Sequence, residues 1–144
     1  MVSIEELHEE NHKLTELANV LLYLFQDRAM CDTETGCELF YTYLDKVHAH
    51  LSKVDHLYGT LLRAKDEQAS ETARNFMSGE QEIKRIISTY TRKWCDKKHR
   101  GLRIADHEAF LRDTRELFET ILHRIQSETE KLYPLIRRFE KAAA

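Results

Sequence analysis

Residues 40–61 have the sequence FYTYLDKVHAHLSKVDHLYGTL, and this stretch decides the fold class. Its apolar side chains recur every three or four residues, which places them along one face of an α-helix. A loop over 29–36 precedes it, Thr35 and Glu38 form a capping box, and we expect the helix to end near Arg63. The predicted apolar face consists of Phe40, Tyr43, Val47, Leu51, Val54, Tyr58 and Leu61.

Three further segments show the same periodicity. The first covers about 3–28 and begins with a capping box. The third lies between a turn at 65–70 and a basic connector at 97–103. The fourth begins near Asp106, a predicted N-cap. Pro134 is expected to bend this helix or to end its regular part. The pattern predicts four helices in all.

The composition favours an all-α protein. One Pro and four Gly in 144 residues provide few turn positions for a β-sandwich or a barrel. Short connections make successive helices antiparallel, so we predict an up-down-up-down four-helix bundle. We assign residues 1–141 to a single domain and treat the alanines at 142–144 as an appended tail.

The charge balance excludes some classes of partner. A formal net charge of −3 gives the chain no overall basic character for nucleic acid or an anionic membrane. The sequence contains no 18-residue apolar stretch, so it predicts no membrane span. Three cysteines fit neither a CxxC pair nor a secreted disulfide framework, which predicts a reducing, cytoplasmic compartment.

Several polar side chains fall on helix faces that should be apolar. An unpaired polar group in a core costs several kcal/mol, roughly 2–7, so such positions are candidates for function. Glu80 lies between Phe76 and Ile83, and Glu128 lies between Ile121 and Leu135. The other members are His50 on helix 2 and Asn11 on helix 1, with His8 and His12 beside it.

Helix positions, counted at about 1.5 Å per residue, indicate that these groups meet. His12, His50 and Glu80 fall at nearly one level, and Glu128 falls about 6 to 8 Å lower. Imidazoles and carboxylates converging inside a bundle bind iron, manganese or zinc, but they also pair with one another in a purely structural polar layer. The candidate metal ligands are His12, His50, Glu80 and Glu128, with His8 and Asp55 as substitutes.

Four other histidines are assigned elsewhere. His107 lies near the opposite end of helix 4 from Glu128, so it is structural or solvent-facing. His48, His99 and His123 are expected on the surface.

A set of short motifs is spread over nearly the whole length of the chain. The motifs are Asn11-His12, His50-Leu51 with Asp55 and Leu57-Tyr58, Phe76 with Glu80, Trp94, and Arg124-Ile125, Glu128 and Leu132-Tyr133-Pro134. In these motifs the chain resembles the hemerythrin-like (HHE cation-binding) domains. The resemblance implies a non-haem di-iron centre that senses or binds a small ligand such as oxygen.

The sequence departs from the family pattern at three places. The Glu expected four residues after His50 is Val54, the His expected in the second half is Arg124, and helix 3 has no His before His99. The departures leave three alternatives: a centre richer in carboxylates that binds metal and a diatomic ligand, an oxygen-dependent oxidase or ferroxidase, or a metal-free helical regulatory bundle. The last would bind a protein partner or a second copy of the chain.

Overall fold

The computed structural model describes residues 3–143, with side chains through residue 140. This part of the chain is mostly helical with little strand, as predicted. Its four long helices are α1 (Ile4–Phe25), α2 (Glu34–Arg63), α3 (Glu67–Trp94) and α4 (His107–Ser127), and α4 continues through a π-helical turn (Glu128–Leu132) into α5 (Tyr133–Ala143). Of the predicted tail, Ala144 lies outside the described residues.

Side-chain caps set the beginnings of the helices. Ser3 Oγ accepts a hydrogen bond from the Glu6 amide at 3.1 Å, so the predicted start of α1 is confirmed. Asp106 accepts from the Ala109 amide at 3.1 Å and caps α4 as predicted. Asp66 caps α3 in the same way. Each cap satisfies an amide that has no partner within the helix.

The predicted start of α2 is wrong by two residues. The cap is Thr33, which accepts from the Gly36 amide at 3.0 Å, and Thr35 already lies inside the helix. Thr33 also donates to the Met30 carbonyl at 2.8 Å. This second bond ties the cap to a 3₁₀ turn, Arg28–Asp32, that occupies the first half of the predicted loop.

The two remaining connections are short. Lys65 has a left-handed backbone with φ of 55° and turns the chain between α2 and α3. The basic connector contains two short antiparallel strands, Cys95–Asp96 and Gly101–Leu102, joined through Arg100 at φ of 49°. The sequence did not predict them, because two-residue strands are too short to produce an alternating pattern.

The core is divided into two apolar clusters. The first contains Leu14, Leu21, Phe40, Val47, Leu51, Ile83, Ile87, Trp94, Phe110, Phe118, Ile121 and Ile125, among others. The second contains Ile4, Leu7, Val54, Leu57, Tyr58, Leu61, Phe76, Leu132, Tyr133 and Ile136, among others. Each long helix carries a buried polar residue at, or within about one turn of, the point where the sequence passes from one cluster to the other. These residues are Asn11, His50, Glu80 and the pair Arg124 and Glu128.

The π-helical turn precedes Pro134. The Tyr133 amide bonds to the Glu128 carbonyl, five residues back, which widens the helix by one residue. We expected the irregularity at Pro134 itself, but it falls on the preceding turn and α5 continues beyond it.

No helix in the described residues is long and apolar enough to cross a bilayer.

Candidate functional site

The Glu128 carboxylate is the centre of a buried hydrogen-bond network. Its Oε1 lies 2.7 Å from His50 Nε2 and accepts from the Tyr133 hydroxyl at 3.0 Å. Its Oε2 accepts from Arg124 Nε at 2.8 Å. The Tyr133 hydroxyl in turn accepts from the Asn11 side-chain amide at 3.0 Å, so the network extends from α4 to α1 and α2.

Arg124 links this centre to α3. Its Nη1 donates to the Phe76 carbonyl at 2.9 Å, and its Nη2 donates to the Tyr58 hydroxyl. The guanidinium carbon lies 4.8 Å from the centre of the Phe76 ring, within the range of a cation–π contact. A guanidinium carries five N–H donors, so two remain after the bonds to Glu128, Phe76 and Tyr58.

The network keeps Glu128 ionised. Burial by itself raises the pKa of Glu128, but the hydrogen bond and charge of His50, together with the charge of Arg124, lower it below its ordinary value. Because the carboxylate is ionised, it accepts all three bonds and His50 Nε2 is the donor. His50 Nδ1 has no hydrogen-bond partner and lies 3.7 Å from Glu10 Oε2.

Glu80 is a buried carboxyl without such support. Its residue is 2% exposed, its Oε1 has no partner, and its Oε2 lies 3.5 Å from Lys84 Nζ. Burial raises the pKa of Glu80, and the nearby charges of Lys84 and Arg124 work against that rise while Asp55 adds to it. Glu80 is therefore the least satisfied charge in the polar layer.

The structure brings two of the six predicted metal ligands into contact. These are His50 and Glu128. The predicted difference of 6 to 8 Å in level does not prevent this contact, because the Glu128 carboxylate and the His50 imidazole extend toward each other. Glu80 is buried in the same layer, as predicted.

The other predicted ligands lie apart from this contact. His12 is exposed and pairs with Glu16 at 3.0 Å along the same helix. Asp55 is exposed on α2. His8 is half-buried and packs edge-on against Tyr133, with ring centres 5.2 Å apart.

The residues as arranged do not fit a di-iron centre. Among the described side chains, no group of three His, Cys, Asp or Glu is placed to hold a metal ion. Both Glu128 oxygens are already engaged, and one of their partners is the permanent cation of Arg124. A metal ion beside Glu128 would have to displace that guanidinium and would be repelled by it.

The sequence identified Arg124 only as a missing histidine, although a signal for its role was present. It lies four residues before Glu128, so both side chains fall on one face of α4. Tyr58 and Tyr133 had a signal in the repeated Leu-Tyr pair of helices 2 and 4. Arg124 stands where the second-half counterpart of His50 is expected. Tyr58 follows His50 by eight residues, whereas Tyr133 follows Arg124 by nine. The π-helical turn accommodates this extra residue.

The remaining histidines lie where the sequence predicted. His107 Nε2 is 2.7 Å from the Phe25 carbonyl, a structural contact. His48, His99 and His123 are exposed.

The cysteines offer no activated thiol among the described residues. All three are free and buried. Burial raises the pKa of Cys31 and of Cys95 to about 11, and it also raises that of Cys37. A nucleophilic cysteine needs a lowered pKa, and none of these three thiols has one.

A groove runs beside the polar layer, between α3 and the segment of α4 that enters the π-helical turn. Its volume is about 630 Å³, within the range of small-molecule sites. Arg124 lies on its inner wall, Gly79 faces it from α3, and His123 and Lys131 line its outer part.

A scan against protein-family models and searches of curated proteins and of solved structures found no match to this chain. The resemblance to hemerythrin-like domains rests on the sequence motifs alone.

Proposed function

We propose that this chain is a metal-independent binding domain, built as a hemerythrin-like bundle in which Arg124 takes the place of a metal at the centre. The observation that carries the proposal is the ion pair of Arg124 with Glu128, closed by His50 and Tyr133. A guanidinium and a metal ion both neutralise a buried carboxylate, but only the metal supplies oxygen or redox chemistry. The domain then acts by binding a ligand or a protein partner.

An up-down-up-down arrangement is part of this proposal. Along α1 the buried residues pass from the second apolar cluster to the first, and along α2 they pass back. The same alternation recurs on α3 and α4, as expected when successive helices are antiparallel. Contacts of α1 with α2 and α4, and of α3 with the same two helices, support a closed bundle.

The metal-binding alternative is favoured by one feature, the buried polar atoms that lack partners. Those in the polar layer are Asn11 Oδ1, His50 Nδ1 and Glu80 Oε1. An ion could satisfy some of them if Arg124 moved away. This would restore the sensing, oxygen-binding and oxidase or ferroxidase functions that the family resemblance implies.

Metal content separates the two functions. The protein should be purified without a metal-affinity tag, reconstituted anaerobically with ferrous iron, desalted and measured by plasma mass spectrometry and visible absorption. We expect far less than one equivalent of iron and no charge-transfer band, because the Glu128 oxygens are already occupied.

Two variants complete the test. Arg124→His restores a His followed four residues later by Glu and removes the fixed cation, so it should gain iron relative to the wild type. His12→Ala removes an exposed imidazole and is the matched control. One to two equivalents of iron in the wild type, lost in Glu128→Gln and kept in His12→Ala, would overturn the proposal.

A further inference from the structure

We propose that the groove between α3 and the segment of α4 that enters the π-helical turn binds a small organic monoanion with an apolar or aromatic body. This inference rests on the proposed function in one respect: it needs the guanidinium of Arg124, not a metal ion, on the inner wall. The ligand's acidic group would meet the cationic wall, and its body would lie on the apolar residues.

Charge is the first argument. The groove lining includes Arg124, Lys131 and His123, and no Asp or Glu is among the described residues that line it. This is unusual in a chain whose acidic residues outnumber its basic ones, 25 to 22. The charge of Arg124 is balanced by Glu128, so Lys131 on the rim supplies the net positive charge, while Arg124 contributes hydrogen-bond donors. A cationic concavity raises the local concentration of anions and lowers that of cations.

Unused donors are the second argument. Arg124 donates three hydrogen bonds to the protein and has two N–H groups left. Gly79 stands opposite, where a Cβ would lie 3.1 Å from Arg124 Nη1. Because position 79 has no side chain, the contacts of α3 with the guanidinium include the carbonyl and ring of Phe76 but no side chain from position 79.

Shape and local geometry are the third argument. Phe76, Ile83 and Leu135 provide apolar surface along the same groove. Lys131 belongs to the π-helical turn, a rare irregularity that occurs frequently at functional sites. A pocket of mostly apolar lining with a few convergent polar groups is the usual form of a small-molecule site.

The test uses two probes of the same shape. 2-Naphthoate carries a carboxylate, and 2-naphthamide is its neutral counterpart. Each is titrated into the ¹⁵N-labelled full chain, with the amides of Gly79 and Ser127 as reporters of the groove. We expect 2-naphthoate to bind about tenfold more tightly than the amide, because a hydrogen bond between a guanidinium and a carboxylate is stronger than one between a guanidinium and a neutral amide.

Three variants locate the site without touching the Arg124 network. Asn75→Trp fills the groove from an exposed position and should abolish the shifts of Gly79. Lys131→Gln removes a rim charge and should weaken 2-naphthoate severalfold while leaving 2-naphthamide unchanged. Lys98→Gln, on the exposed connector away from the groove, is the matched control and should bind like the wild type.

Three results would overturn the inference. They are equal binding of the acid and the amide, shifts that map outside the groove, and absence of binding at millimolar probe. Iron content, measured separately as above, decides the proposed function. Iron-free protein that fails to bind 2-naphthoate would refute the groove site and leave the metal-independent bundle standing.

Discussion

Glu128 and Glu80 are both buried carboxylates on the inner faces of neighbouring helices, yet their surroundings are opposite. Glu128 on α4 receives bonds from His50, Arg124 and Tyr133. Glu80 on α3 has an oxygen without a partner, and its nearest cation is Lys84, 3.5 Å away. The same residue type therefore contributes to folding on one helix and opposes it on the other.

The two pKa shifts express this difference. Partners lower the pKa of Glu128 in spite of burial, and burial raises the pKa of Glu80. A lowered folded-state pKa adds stability above the unfolded value, which is lost as pH falls through the folded value. A raised one subtracts stability as pH rises from the unfolded value through the folded value. The difference teaches that three hydrogen-bond donors outweigh the burial of Glu128, whereas the single ion pair with Lys84 does not outweigh the burial of Glu80.

The largest expected effect comes from removing the cation that stabilises Glu128. Arg124→Met leaves Glu128 without its cation and Tyr58 without its donor, so we expect a loss of about 3–5 kcal/mol of unfolding free energy. Urea denaturation followed by far-ultraviolet circular dichroism measures it. In Arg124→Met/Glu128→Met most of that loss should return, because apolar residues of similar volume often replace a buried ion pair at no cost. Equal losses in the single and double variants would show that the pair is not coupled.

Removing the poorly paired carboxylate of Glu80 should instead raise the free energy of unfolding. Glu80→Met removes a carboxylate with an unpartnered oxygen while keeping an unbranched side chain, so we expect a gain of about 1–2 kcal/mol at pH 7. The gain should shrink as the pH is lowered toward the ordinary carboxyl value of 4.5, because Glu80 becomes protonated and its burial costs less. Urea denaturation at a series of pH values from 4 to 8 measures this, and a gain independent of pH would contradict the assignment.

A smaller effect should follow from removing one donor to Glu128. Tyr133→Phe deletes the hydroxyl that donates to Glu128 and accepts from Asn11, and we expect a loss of about 1 kcal/mol by thermal denaturation. Tyr23→Phe removes the hydroxyl of a tyrosine that is 76% exposed, so it serves as the control and should be neutral. A neutral Tyr133→Phe would place that hydroxyl outside the network.

The smallest effect is expected at His12. Its pairing with Glu16 is between exposed side chains, so His12→Ala should change the unfolding free energy by less than about 0.5 kcal/mol. Thermal denaturation with and without added zinc is the measurement. A stabilisation by zinc that requires His12 would instead return this residue to a metal site.

The helices were predictable because their apolar positions recur at the helical period over 20 residues or more. The polar layer was predictable for the same reason, since Glu80, Glu128, His50 and Asn11 interrupt those rows. What each polar residue contacts was not predictable. His12 and Asn11 are adjacent in sequence, yet one is exposed and the other buried, because a rotation of about 100° per residue separates them.

The role of Arg124 was the hardest part to predict. An arginine on a helix is ordinarily assigned to the surface, and its burial here depends on three partners, two of which lie on other helices. Phe76 on α3, Tyr58 on α2 and Glu128 on the same helix each take one bond. Those contacts combine residues that are 48 and 66 positions apart in the chain, so local periodicity does not reveal them.

The most direct test of the central claim is the ¹⁵N–¹H signal of Arg124 Nε, assigned by its loss in Arg124→Lys and recorded as Zn²⁺ is added as a diamagnetic probe. A guanidinium that is buried and bonded to Glu128 predicts a slowly exchanging signal, unchanged in position and intensity through ten equivalents of Zn²⁺. A signal that shifts or vanishes in proportion to one or two equivalents, together with shifts of the His50 ring, would show that a metal displaces Arg124 and would contradict the account.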